Sequence, residues 1–483
     1  MENIIADIKE LYQSCKGALP VSIEVLPPSG SDRRYFRVHG EEGTCIACHN
    51  LHIRENNTFL YFTEHFRNIN APLPEVLAVN NRRDIYLLED LGTVSLLDKI
   101  EEEKYSSNVY DLFRKSLSAL ARMQILGEKD FDYAMCITSR EFGKQAIMAD
   151  LLYFKYYFLD TLKIPYDKEK LIEDFEALST YLAYTGHKYF MFRDFQSRNV
   201  MIRNNEPHFI DYQGGMKGAL QYDVASLLWQ AKAELPDEWK TGLLEEYMNE
   251  VDQLLPAPLD RTTFVGQYNG YVLLRLLQVL GAYGFRGLFE RKAHFLTSIP
   301  LALNNLKWFL QHKSIGIVLP TFDTILAEVT KETVINRFEP IRATDDTPLV
   351  VHICSFSYRN GIPEDKSSNG GGFVFDCRGI LNPGRIDEYK KQTGRDKGVK
   401  DFLEQRTRMT EFLNNIYNTV DISVENYLAR GFENLSVCFG CTGGQHRSVY
   451  AADALARHLR NKYKVKIELK HLVQDAKAWV NEG

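Results

Sequence analysis

Two short segments, MFRDFQSRNVMI and HFIDYQGG, carry residue types at a spacing that could transfer a phosphoryl group. Asp194 follows Arg193, Asn199 stands five positions further on, and Asp211 comes twelve after that, behind apolar Phe209 and Ile210. The reaction needs a carboxylate to accept the proton of the attacking hydroxyl, and Asp194 is suited to it. It also needs hard oxygen donors for a divalent cation across the phosphates, and Asn199 and Asp211 would supply them. ATP and Mg2+ are the expected phosphoryl donor and metal.

Two weaker patterns lie upstream in an order that suits this chemistry. The run from Gly30 through Ser31, Arg33, Arg34 and Arg37 to Val38 could be a hairpin covering phosphates, although an ordinary hairpin reads the same way. YLLEDLG, from Tyr86 to Gly92, could be a hinge whose backbone at Glu89 and Leu91 meets adenine. No lysine occurs between Lys16 and Lys99, so no strand lysine is available to grip the phosphates of ATP. Arg54, in HIRENNTF, or a hairpin arginine such as Arg34 would have to substitute, since arginine binds phosphate bidentately.

The elements around these residues are legible from periodicity. Tyr35–Val38, Thr44–His49 and Ile85–Leu88 read as strands, with Tyr61–Asn68 helical between them. From about Ser107 to Leu310 the apolar spacing is mostly helical, broken at Tyr189–Asp211 by a strand, a loop and two further strands. Tyr271–Phe285 is the most apolar long segment, but Arg275 interrupts it and it reads as a buried helix. Prolines and charges between Leu319 and Pro348 suggest a linker around one helix-like stretch. Beyond it, LVVHICSF, GGFVFDC and NLSVCFGC read as strands alternating with two helical stretches. The expected fold is a bilobal α+β unit with a strand-rich small lobe (1–92, hinge included) and a helical large lobe (93–318). A linker (319–347) and a small α/β domain (348–483) follow.

Residues 1 to about 315 resemble the aminoglycoside phosphotransferase/choline kinase superfamily. They are most similar to its bacterial cell-wall branch, which phosphorylates the anomeric hydroxyl of N-acetylmuramate or N-acetylglucosamine. GSDRRYFRV, LLEDLG, RDFQSRNVM, IDYQGG and QYDVASLL carry the likeness. The resemblance implies the same roles for Asp194, Asn199 and Asp211, a bracing role for Asp223, and a sugar substrate. Phe192 and Gln196 stand where histidines are usual in this loop. With the missing lysine, these departures keep a second reading open, a metabolite sensor with a silent kinase-like domain.

A second constellation lies in VCFGCTGGQHRSVYAADAL, a Gly-rich loop between a strand and a helix starting near Ser448. Gly443 and Gly444 permit tight turns, helix N–H groups would point at an anion, and Thr442, His446, Arg447 and Ser448 add donors. Cys441 and Arg447 also stand in the C-x5-R order of a thiolate phosphatase loop, which leaves a bifunctional kinase–phosphatase open. Residues 350 to about 473 resemble the C-terminal domain of the RNase adapter RapZ, through SFSYRNGIP, GGFVFDCRGILNPGRIDEYKKQTGRDKGV and GCTGGQHRSVYAADALARHL. That resemblance implies a sensor of glucosamine-6-phosphate, with Thr442, Gly443 and Arg447 as ligands. Asn360 replaces a ligand-binding histidine of that family, and the tail HLVQDAKAWVNEG lacks its basic cluster, which argues against RNA binding.

A net charge of -6 excludes wholesale electrostatic attraction to nucleic acid or to an anionic membrane. No basic segment followed by an apolar stretch opens the chain, and its eight cysteines suit a reducing compartment, so a cytoplasmic location is expected. Cys45/Cys48 and Cys438/Cys441 have metal-type spacing, but both pairs lie in strand-like segments, and core or loop cysteines are the preferred reading. The sequence carries no sign of oligomeric state.

Overall fold

The computed structural model describes residues 2–26, 33–290, 293–339, 342–365 and 372–477. They fall into two units, Met1–Phe289 with Ser298–Arg337, and Glu290–Thr297 with Phe338–Gly483.

The first unit opens with the helix Glu2–Lys16 and a five-stranded antiparallel sheet. Its strands are β1 (Ser22–Val25), β2 (Arg34–Gly40), β3 (Gly43–His49), β4 (Val76–Val79) and β5 (Ile85–Glu89), in the order β1-β2-β3-β5-β4. In β2 the two-residue period divides the side chains between faces. Phe36 and Val38 join Cys45, Ala47, Ile85 and Leu87 in a core against Ile8, Leu11 and Tyr12 of the first helix. Tyr35 and Arg37 lie on the opposite face. The helix Ile53–Arg67 follows β3, its first turn capped by His52 Nδ1 accepting the Glu55 N–H.

Helices make up the larger lobe. Ser107–Leu126, capped by Ser106, packs against Asp237–Leu254, and Lys144–Tyr157 packs against Arg261–Tyr283. The last pair can approach closely because residue 281 is glycine, where a Cβ would lie 3.0 Å from the Phe154 backbone nitrogen. Arg261–Phe289 is long and apolar enough to cross a membrane by length and composition, and 56% of its most apolar window is buried inside the structure. Arg275 within it is buried because the Tyr222 hydroxyl accepts its guanidinium at 2.9 Å. Two small hairpin-like pairs interrupt the helices: β6 (Lys188–Met191) with β9 (Met216–Ala219), and β7 (Val200–Arg203) with β8 (Glu206–Phe209).

The stretch expected as a linker, 319–347, begins as an ordered part of this unit. Pro320 occupies the first turn of the helix Pro320–Val329, where a missing N–H costs nothing. Phe322, Ile325 and Leu326 are buried, and the Phe322 N–H donates to Asp174 at 2.8 Å. The first unit thus runs through Arg337.

The second unit is a four-stranded parallel sheet, in the order β11-β12-β10-β13. Its strands are β10 (Val350–Ser357), β11 (Phe373–Asp376), β12 (Asn434–Cys441) and β13 (Lys466–His471). Val351, Ile353, Val437 and Phe439 on one face pack with Leu413, Ile416 and Val420 of Met409–Arg430 and with Ala451, Ala452 and Leu455 of Arg447–Tyr463. The bilobal α+β unit followed by a small α/β domain is the architecture expected from the sequence.

Candidate active site and anion-binding loop

Strand β6 delivers the chain into Phe192, Arg193 and Asp194, and a single 3-10 turn, Ser197–Asn199, returns it into β7. The β7–β8 hairpin then brings Asp211 back beside that turn, because Val200 pairs with Phe209 and the Ile210 N–H donates to the Asn199 carbonyl at 3.0 Å. The Asn199 amide nitrogen donates to the Asp194 backbone carbonyl at 2.9 Å. Asp194, Asn199 and Asp211 therefore meet at one end of the hairpin. With its nitrogen spent on Asp194, Asn199 turns its carboxamide oxygen the other way. One carboxylate and one carboxamide oxygen are hard donors of the kind Mg2+ takes.

This loop is fastened from three directions. The Asp223 carboxylate is fully buried and accepts the N–H groups of Phe192 and Arg193 at 2.7 and 2.9 Å and the Gln124 amide at 2.9 Å. Burial pushes its pKa up to about 7 against those donors. Arg193 grips Asp150 through both terminal nitrogens, at 3.1 and 3.0 Å, and donates to Tyr222 at 2.6 Å. Ser197 donates twice to the Gln230 side-chain oxygen, at 2.9 and 2.7 Å. Arg193 and Asp211 have φ of 78° and 67°, a left-handed conformation that these networks must hold against its cost.

The two departures from histidine acquire a physical account. Phe192 is fully buried and meets Phe195 and Tyr212 edge-on, so the loop is anchored by aromatic packing. Gln196 donates to one Asp194 carboxylate oxygen at 2.8 Å and so fixes its rotation. Gln196, Asp150 and Gln230 are contributions that spacing alone did not single out.

The upstream candidates separate. Ser31 lies outside the described residues. Arg34 is exposed, stands opposite His49, and shares its strand face with Phe36, away from the side that carries Tyr35 and Arg37. Arg54 donates to the Cys136 carbonyl at 3.2 Å, since successive helical side chains diverge by about 100° and Glu55 takes the inward direction. Neither reaches the hairpin end where Asp211 sits. Arg37 is committed to Asp90, at 2.7 and 3.2 Å, and so ties β2 to the residue following β5. Glu89 donates its N–H to the Glu75 carbonyl at 2.9 Å and pairs its carboxylate with Arg203, while Leu91 is buried. Arg33 alone of the three hairpin arginines meets Asp211, its Nη2 standing 2.8 Å from the carboxylate, which also accepts Gln213 at 2.9 Å. Burial raises the Asp211 pKa, but Arg33 and Gln213 outweigh it and hold the carboxyl below its ordinary range.

In the second unit, β12 ends at Cys441 and the helix Arg447–Tyr463 begins six residues later. Gly444 turns the loop with φ 65°, and its N–H donates to the Cys441 sulfur at 3.1 Å. Thr442 and Gly443 are exposed at the tip. Arg447 is 4% exposed and donates to the carbonyls of Arg378 and Ile380, at 3.1 and 2.7 Å, while its Nε is buried without a hydrogen-bond partner among the described residues. His446 and Ser448 are interior groups rather than loop donors. The His446 ring meets the Tyr389 carbonyl at 2.9 Å, with burial lowering its pKa, and the Ser448 hydroxyl lies 3.1 Å from the Cys441 sulfur. Cys441 is itself 2% exposed, which removes it from the reach of a phosphate ester and disfavours the thiolate phosphatase reading.

Among the described residues no group of three or more His, Cys, Asp or Glu could hold a metal ion. The spacing of three explains this for the cysteines. Cys45 lies in the core under the first helix while Cys48 faces the opposite side of β3, and Cys438 and Cys441 divide in the same way on β12.

Comparison with known proteins matches residues 22–257 to the phosphotransferase enzyme family and residues 349–473 to the RapZ C-terminal domain. Among curated relatives, a nucleotide-binding protein of Fervidobacterium nodosum is 43% identical over 121 residues, 25% of this chain and 41% of that protein. One of Endomicrobium trichonymphae is 33% identical over 154 residues, 32% of this chain and 51% of that protein. The chain thus spans 41% and 51% of the length of these relatives. A choline/ethanolamine kinase family protein from Mesorhizobium loti aligns over 68% of this chain and 98% of its own, with TM-score 0.45 and 13% identity. The chain therefore carries a phosphotransferase-family domain at residues 22–257 and a RapZ C-terminal domain at residues 349–473.

Proposed function

We propose that the first unit is an ATP-dependent small-molecule kinase that phosphorylates a hydroxyl of an amino sugar of the N-acetylglucosamine or N-acetylmuramate type. The observation that carries this reading is the convergence of Asp194, Asn199 and Asp211 at the end of the β7–β8 hairpin. Asp194, with its rotation fixed by Gln196, accepts the proton of the sugar hydroxyl as the oxygen attacks. Asn199 and Asp211 would hold Mg2+, which when bound neutralises charge on the transferred phosphoryl group. Asp223 and Arg193 keep the loop backbone in place so that the base does not move relative to the two oxygen donors. The amino-sugar specificity rests on the resemblance of the sequence motifs, as does a cytoplasmic role in cell-wall recycling. ATP turnover with N-acetylglucosamine, N-acetylmuramate, choline and kanamycin is the test, and activity confined to choline or kanamycin refutes the sugar.

The second unit, on this proposal, binds a sugar phosphate such as glucosamine-6-phosphate at Thr442–Arg447 and leaves it intact. The exposed Thr442 and Gly443, with the Arg447 Nη2 3.5 Å from the Thr442 hydroxyl, support binding. The burial of Cys441 speaks against hydrolysis. Calorimetric titration with glucosamine-6-phosphate tests it, with binding expected in the wild-type chain and none in Arg447→Ala. Phosphate release that vanishes in Cys441→Ser would reverse the conclusion.

A further inference from the structure

Strand β3 places an uncharged residue on its inward face where a phosphate-gripping cation would be expected. Cys48 stands there, paired in register with Tyr35, and burial pushes its thiol pKa up to about 11. Phosphoryl-transfer enzymes of the kinase type place a strand lysine at this point, paired with a glutamate of the following helix. That glutamate is present here. Glu55 lies in the first turn of the helix Ile53–Arg67, its carboxylate held by the Asn50 amide at 3.0 Å. Its cationic partner arrives from elsewhere. Arg33, one residue ahead of β2, has its Nε 3.6 Å from Glu55 and its Nη2 2.8 Å from Asp211, and its side chain is only 11% exposed.

We propose that Arg33 is the residue that grips the polyphosphate of ATP, oriented by Glu55, so that an arginine just ahead of β2 fills the place of the absent strand lysine. The proposal rests on the kinase reading above and deepens it. The geometry satisfies two requirements together. A single guanidinium spans the helix glutamate and the aspartate assigned to the metal, as a phosphate-gripping cation must if it is to lie over the transferred groups. Its planar guanidinium matches phosphate oxygens bidentately, whereas a lysine meets them only as a point charge. Burial strengthens the interaction, since a guanidinium shielded from water binds an anion with less screening. The other nearby arginines are directed elsewhere, Arg37 to Asp90, Arg34 to the Phe36 face of the sheet and Arg54 to the Cys136 carbonyl. Glu55 acts through Arg33 and is a positioning residue.

The test is calorimetric titration of the full chain with MgATP and, separately, with adenosine, in wild type, Arg33→Ala, Arg33→Lys and Glu55→Gln. Loss of one charge-assisted phosphate contact should weaken ATP by about tenfold or more in Arg33→Ala. Adenosine, which has no phosphate, should bind all four proteins equally. Arg33→Lys should recover part of the ATP affinity, and Glu55→Gln should shift it in the same direction as Arg33→Ala but less. In turnover the loss should fall mainly on KM for ATP. Equal ATP affinity in wild type and Arg33→Ala overturns the proposal, and so does a parallel loss of adenosine, which would mark Arg33 as a folding residue. Wild-type protein that binds neither compound removes the kinase reading itself, a result distinct from both.

Discussion

The backbone N–H of Phe192 donates at 2.7 Å to the carboxylate of Asp223, 31 positions further along the chain, in an environment with no exposure to water. This bond holds the segment leading to Asp194, and the burial of its acceptor makes the folded state sensitive to pH. Burial raises the Asp223 pKa to about 7, so between the usual carboxylate range and neutrality the folded chain keeps a proton that the unfolded chain releases. The contribution of this group to stability is therefore greatest at acid pH and is lost as pH rises through about 7. Across pH 5 to 8 the loss should be roughly 3 kcal/mol. Asp223→Asn should abolish that slope, as measured by urea unfolding at both pH values. Parallel pH dependence in the two proteins would contradict it.

On the proposed role of Asp194 as base, Asp194→Asn should lower kcat by about 10^2- to 10^4-fold with ATP affinity retained, because the variant removes only the proton acceptor. Gln196→Ala removes one hydrogen bond that orients the same carboxylate and should lower kcat by about tenfold without changing KM for ATP. Steady-state kinetics on both variants decide the point. Wild-type turnover in Asp194→Asn would end the assignment.

Asp150→Ala should cost about 2–3 kcal/mol of stability. It strips Arg193 of a bidentate partner and leaves a largely buried guanidinium on the Tyr222 hydroxyl alone among its side-chain acceptors here. Asp150→Asn, which keeps one acceptor, should cost less. Denaturant midpoints of the two variants give the comparison, and equal midpoints for Asp150→Ala and wild type would show that Asp223 suffices.

Gly444→Ala should destabilise the second unit by roughly 1–3 kcal/mol. Its φ is 65°, and a Cβ there would stand 2.5 Å from a Val473 methyl and 3.1 Å from the Ser357 nitrogen. Gly443→Ala is the control, since nothing lies within 4 Å of a Cβ at that position. Thermal melting of both variants should show a large shift for the first and a small one for the second.

The approach of Asn199 and Asp211 is legible because one short hairpin links them, and spacing within a hairpin is a local property; Asp194 joins them through the Asn199 amide. Arg33 was harder. Four arginines lay within reach of the argument, and choosing among them needs the face each occupies, which depends on where β2 begins and how the helix after β3 is rotated. The alternation in RYFRVHG does separate Arg34 from Arg37, but Arg33 precedes the strand and escapes that rule. Asp150 lies 43 positions from Arg193 on another helix, a pairing with no local signature. His446 and Ser448 read as donors because their types suit an anion, whereas burial assigned them to the interior. The segment after Leu319 looked like a linker because proline and charge are its visible features, and its apolar spacing is short.

Strand β10 lies in the middle of its sheet, and both of its neighbours are synthesised after it. Cys354 sits beside Cys438, 84 positions on, and Ser355 meets His471, 116 positions on. Closing loops of that size precedes any reward from pairing, so this sheet is assembled late and slowly compared with the local antiparallel pairs of the small lobe. While the chain is emerging from the ribosome, VVHICSF waits with both edges open, an apolar template for any other unpaired strand. The sheet closes only once the residues up to His471 have been made, and the helix that carries Arg447 is seated on β10 and β12 at the same stage. On the proposal that the Thr442 loop binds a sugar phosphate, its occupancy would then report a finished domain, and a nascent or clipped chain would be silent to it.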